Sequence, residues 1–176
     1  MLSALLATKV INSSVVCDDV TGLPFKFEAE RYMGTWYETY RTAGMPFQPD
    51  GNTCTTGTYS NLNADGTFDV YNSGQDANYG PREGLAGNAK CPPGSEFGEG
   101  RCYVSFYGAP WEAEPNYNII DTDYDNYAII YSCDDFQYLW FLARDTELSD
   151  ELYDQLIETV KEKLPNYDLS QLIKDS

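Results

Sequence analysis

Five cysteines, 28 Asp and Glu and no histidine among 176 residues set the limits on the chemistry of this chain. Without an imidazole there is no Ser-His-Asp or Cys-His nucleophile, no HExxH zinc site and no zinc deaminase site of the usual kind. Glycoside hydrolysis needs only two carboxyl groups at a suitable separation, but no motif narrows the field. Asp121-Thr122-Asp123-Tyr124-Asp125 begins like an EF-hand loop. It then carries Asn126 where glycine is required and Ser132 where glutamate is required, within β-patterned flanks, so it reads as a solvated turn. Cys17, Cys54, Cys91, Cys102 and Cys133 are too scattered for a zinc site and read as disulfides with one odd thiol, which implies an oxidising compartment. Cys54, if it is that thiol, is the one credible nucleophile, and it would need a route to thiolate that does not use histidine.

The formal charge of −17 excludes nucleic-acid binding, which depends on clustered Lys and Arg, and disfavours anionic membrane surfaces. The strongest apolar runs, such as Leu139-Trp140-Phe141-Leu142-Ala143, fall far short of the roughly 18 residues of a membrane span. Residues 1–16 are expected to be a truncated signal or an N-terminal extension. The apolar run is short and lacks a basic start, although Ser13-Ser14-Val15-Val16-Cys17 offers small residues for cleavage and a poor lipobox. Asn12-Ser13-Ser14 is a glycosylation sequon in that same segment. Residues 17–176 have the length of one domain, and with 42% hydrophobic residues they can build one core.

The elements that must position these groups are mostly strands. From about Arg31 to Arg144, short β-patterned runs alternate with Gly, Pro, Asn and Asp clusters, as in an all-β barrel or sandwich. The hairpin over 58–72 turns on Ala64-Asp65-Gly66, where Asp-Gly is expected to supply positive φ angles. A second hairpin joins 84–91 to 101–107 across a Pro- and Gly-rich loop, and a third joins 117–122 to 127–133. Phe68 and Val70 oppose Asp69 and Tyr71, while Val104 and Phe106 oppose Tyr103 and Ser105. The run 138–144 is apolar on both faces, as expected of a strand facing a cavity on one side and a helix on the other. That helix starts at the Ser149 cap, carries Leu152, Leu156, Val160 and Leu164 on one stripe, and stops at Pro165.

Three segments now acquire joint meaning. Gly34-Thr35-Trp36-Tyr37-Glu38 after Arg31-Tyr32-Met33, Thr122-Asp123-Tyr124, and Leu142-Ala143-Arg144 ahead of the helix resemble, in this order, the signature regions of the lipocalin family. The resemblance covers about Cys17 to Ile173 and is strongest to the apolipoprotein D and bacterial outer-membrane lipocalin branch. It implies an eight-stranded antiparallel up-and-down barrel with the C-terminal α-helix packed on its outside. It also implies that Arg144 lies over Trp36 at the barrel floor in a structural cation–π contact.

If Arg144 points into the floor, Leu142 and Trp140 share its face higher up. Matching the other strands to the branch places Tyr59, Phe68, Val70, Val104, Phe106, Tyr117 and Ile119 inward too, and these nine are the expected ligand-binding residues. The alternative for each is ordinary core packing, because a barrel this narrow fills part of its interior with side chains. The resemblance pairs Cys17 with Cys133. It also puts a cysteine at position 54, but the usual C-terminal partner of that cysteine is missing here. Cys91 and Cys102 lie on the two arms of one hairpin with inward parity and are expected to pair, leaving Cys54 as the odd thiol.

The implied function is binding and transport of a small hydrophobic molecule by a secreted, extracytoplasmic monomer or weak dimer. A fatty acid or related lipid is expected first, then a sterol, carotenoid, retinoid or bilin. No cofactor, metal or catalytic residue is implied. The alternatives are a lipid isomerase or de-epoxidase using the same cavity, and a filled barrel acting on another protein through its Tyr-rich rim.

Overall fold

The computed structural model describes residues 15–76 and 82–175, so the Asn12 sequon and most of the 1–16 segment lie outside the described residues. Eight strands pair antiparallel in chain order: β1 (Gly34–Thr42), β2 (Asn52–Ser60), β3 (Thr67–Asp76), β4 (Glu83–Lys90), β5 (Arg101–Phe106), β6 (Tyr117–Thr122), β7 (Tyr127–Cys133) and β8 (Gln137–Ala143). β1 pairs with β8 on one edge and with β2 on the other, which closes the barrel. One helical turn, α1 (Ala29–Tyr32), precedes β1 at the floor. The expected all-β barrel with an external C-terminal helix is the observed architecture.

Helix α2 (Asp150–Lys163) begins where the sequence places it, with the Ser149 hydroxyl accepting from Leu152 N–H at 3.2 Å. Its Leu156 and Val160, with Leu164 just beyond, are buried against Ile129, Leu139 and Phe141 on the outer face of β7 and β8. The other face of β8 sends Trp140 and Leu142 into the barrel. The 138–144 run is therefore apolar on both faces because it separates two cores.

Two local details depart from the sequence reading. Within Ala64-Asp65-Gly66 only Gly66 adopts a positive φ (81°), at a point where a Cβ would come within 2.5 Å of the Cys91 carbonyl oxygen, and the other positive φ of this connection falls on Asn61 (54°), next to the end of β2. Asp65 contributes through its carboxylate instead, which accepts from Thr67 N–H at 3.1 Å and from its hydroxyl at 2.6 Å. The C-terminus also supplies an unforeseen strand, β9 (Leu172–Lys174), which pairs with Tyr40–Thr42 of β1. There β2 has diverged from β1, and the C-terminal segment fills the gap. Asp175 N–H donates to the Thr39 carbonyl at 2.9 Å, and its carboxylate accepts from Thr55 N–H at 3.0 Å. This non-covalent tie lies beside Cys54, the residue before Thr55.

Candidate functional site

The barrel floor is built on backbone carbonyls. The Arg144 guanidinium lies 3.7 Å over the Trp36 ring and donates to the carbonyls of Arg31, Met33, Thr35 and Tyr124 at 2.8–3.1 Å. Trp36 is fully buried, and its indole N–H donates to the Tyr32 carbonyl at 2.8 Å. These bonds tie α1, β1, β8 and the β6–β7 turn together, so both side chains hold the floor shut. That turn is the acidic run considered above. The Asp123 carboxylate accepts from the N–H groups of Asp125, Asn126 and Tyr127 at 2.8–3.1 Å. Partial burial pushes this carboxyl up, but bonds led by Asn126 outweigh it and hold the group below its ordinary range.

Above the floor the structure gathers all nine expected residues into one interior cluster. Tyr59, Phe68, Val70, Ile119 and Leu142 are buried, whereas Val104, Phe106, Tyr117 and Trp140 are half-buried. Gly87 makes room for this wall, since a Cβ there would sit 2.5 Å from the Phe106 ring. Asn116 extends the short β5–β6 ladder by using its side-chain amide, which accepts from Val104 N–H at 2.8 Å and donates to the Val104 carbonyl at 3.0 Å.

Three phenols meet at one point in the lower barrel. The Tyr117 hydroxyl lies 2.8 Å from that of Tyr32 and 2.9 Å from that of Tyr59, and the Tyr32 and Tyr59 rings stack with centroids 5.4 Å apart. Burial pushes the Tyr59 phenol up to about 12 and holds Tyr32 and Tyr117 well above the ordinary value, so all three are neutral hydrogen-bonding groups.

Sequence reasoning missed the charged groups of the interior. Glu38 pairs with Leu142 across β1 and β8 and shares its inward face. A bulge between Glu38 and Tyr40 then resets the alternation, so Tyr40 packs outward on Phe141 and Tyr153 while Arg41 opposes Trp140 inside. Glu38 is 8% exposed and Arg41 is 1% exposed. The Glu38 carboxyl lies 3.2 Å from Arg41 Nε and accepts Gln48 Nε2 on both oxygens, at 2.7 and 2.9 Å. Burial, reinforced by Asp175, pushes this carboxyl up to about 8 against the opposing pull of Gln48 and Arg41. Parity with Trp36 was a usable signal for Glu38. None existed for Arg41, because the bulge is not written in the pattern.

The cysteines pair as Cys17–Cys133 and Cys91–Cys102, with Cα separations of 5.7 and 4.3 Å. Cys54 is free and exposed, on a β2 residue with φ of 53°, and it belongs to neither core cluster. An open cleft of about 720 Å³ is lined by Phe25–Glu28, Glu30 and Arg31 on one side and by Thr122–Tyr124 on the other, and none of the nine expected ligand-binding residues lines it. Among the described residues, no helix is long and apolar enough to cross a membrane.

Residues 27–176 match the family described as a lipocalin-like domain. Temperature-induced lipocalin-1 of Arabidopsis thaliana is 36% identical over 152 residues, spanning 82% of this chain and 76% of that protein. The outer membrane lipoprotein Blc of Escherichia coli (strain K12) is 31% identical over 157 residues, spanning 84% and 77%. Apolipoprotein D of Mus musculus is 30% identical over 131 residues, spanning 71% and 65%.

Proposed function

Because the chain belongs to the lipocalin family, whose members bind small hydrophobic ligands, we propose that it binds and carries a fatty acid or related lipid inside its barrel. One observation carries this reading. Val104, Phe106, Tyr117 and Trp140 belong to the interior cluster yet keep accessible surface, above a floor sealed by Trp36 and Arg144. An apolar chain laid against them leaves water at roughly 25 cal/mol per Å², so burying ~300 Å² gains about 7 kcal/mol before the cost of immobilisation. Neutral phenols below it offer hydrogen bonds without the desolvation cost of a charge. Two disulfides support an extracytoplasmic site of action.

The reading is tested by displacement of a fluorescent fatty acid from the full chain, paired with native mass spectrometry and organic extraction of protein from its source. Saturable binding that Phe106→Asp weakens is expected, together with a co-purified lipid. No saturable binding, with Trp140 emission unchanged, would overturn it in favour of a filled barrel acting on another protein.

A further inference from the structure

Among the described residues, Glu38 is the one buried side chain of the Asp and Glu type, and it faces the barrel interior. Its hydrogen-bond donor is borrowed from the mouth. Gln48, in the β1–β2 loop, reaches down so that Nε2 sits between the two carboxyl oxygens, at 2.7 and 2.9 Å, while its Oε1 accepts Trp140 Nε1 at 3.3 Å.

The loop does not depend on this reach. Arg41 donates to the Asp50 carboxylate at 2.9 Å and to the Pro49 carbonyl at 2.9 Å, the same carboxylate accepts Gly44 N–H at 2.8 Å, and Met45 is buried. The Gln48 side chain can therefore swing away while the loop backbone stays anchored. A nitrogen donor held between two carboxyl oxygens beside an indole is the contact that the head of an amine or amide ligand would make.

An anionic head is less well provided for, because the one Arg41 nitrogen without a hydrogen-bond partner, Nε, already faces the Glu38 carboxyl at 3.2 Å. Arg41 already faces Glu38 on one side and Asp50 on the other, and its terminal nitrogens are engaged by Thr42, Pro49 and Asp50. A ligand carboxylate would also bring a second acid against Glu38, whereas an amine and Glu38 need only one proton between them.

We propose that Glu38 and Trp140 form the head-group subsite of the barrel, that the Gln48 carboxamide is a built-in surrogate displaced by the ligand, and that the favoured ligand is an apolar chain ending in an N–H donor, foremost a primary amine. This rests on the reading above that the barrel binds an apolar chain, and it departs from that reading in the head group, which is an N–H donor in place of a fatty-acid carboxylate.

The test titrates the full, disulfide-intact chain with dodecylamine, dodecanamide and dodecanoate, in enough salt to screen the charge of −17. Dodecylamine is expected to bind at least about tenfold tighter than dodecanoate, with dodecanamide between them and a change in Trp140 emission. Glu38→Gln should abolish the preference while altering only one charge of the whole, which separates a local contact from general attraction of a cation to an acidic protein. Gln48→Ala, on a loop anchored by other residues, should tighten dodecylamine several-fold. Equal or tighter binding of dodecanoate, a preference that survives Glu38→Gln, or weaker amine binding in Gln48→Ala would each overturn the inference. Saturable binding of none of the three would overturn the barrel-binding reading itself.

Discussion

Replacing Glu38 by glutamine should change how the stability of this protein depends on pH, by an amount that follows from its burial. The carboxyl is surrounded by Arg41, Gln48, Tyr59 and Asp175, and burial raises it from 4.5 to about 8 in the fold. Below both values the folded and unfolded chains each hold the proton, and the group costs nothing. As pH rises between them the unfolded chain releases its proton while the native state keeps it, so stability falls. Above about 8 both states are ionised and the loss is complete. Each tenfold in proton affinity is worth about 1.4 kcal/mol, which gives a loss of about 4 kcal/mol between about pH 5 and pH 9. That window stays above the isoelectric point near 4.1. Glu38→Gln has no such proton. Whatever the amide costs locally is the same at every pH, so subtracting the two unfolding profiles isolates the titration. Urea unfolding followed by tryptophan emission should show the variant gaining about 4 kcal/mol relative to the parent across the window. Parallel profiles would refute the burial argument.

Two further outcomes test the frame around the site. Cys91→Ser with Cys102→Ser opens a cross-link spanning 11 residues of sequence and should cost roughly 2–3 kcal/mol in the same urea measurement, an effect that reduction of the parent should reproduce in part. Leu156→Ala, at a fully buried position of α2, should cost about 2–5 kcal/mol while leaving lipid displacement at saturating stability unchanged, because Leu156 packs on the outer face of the barrel.

Much of the fold was legible because its signals are local. The Ser149 cap, the Leu152–Leu164 stripe and Pro165 define α2 from side chains within a few residues of one another. Alternation in β3 and β5 placed Phe68, Val70, Val104 and Phe106 on one face, and the nine expected interior residues do share a cluster. Resemblance to related barrels pointed to Cys17 with Cys133 and to Arg144 over Trp36, pairs that no local pattern connects. Other features were closed to such reading. A charged residue in an alternating strand ordinarily marks the solvent side, and Arg41 faces inward only because the Thr39 bulge resets the parity. β9 is too short to announce itself, and its pairing exists only because β2 leaves β1 at the mouth.

The residues alone determined which chemistries are absent, where strands and helix lie, and which side chains share a face, because composition and periodicity act over a few neighbours. The tertiary structure alone decided that Glu38 is a buried acid raised to about 8, that Gln48 occupies it, and that three phenols converge beneath it. Desolvation and hydrogen-bond geometry depend on everything packed around a group, and the packing at this barrel mouth is assembled from β1, β8, the β1–β2 loop and the C-terminus, which lie far apart in the chain.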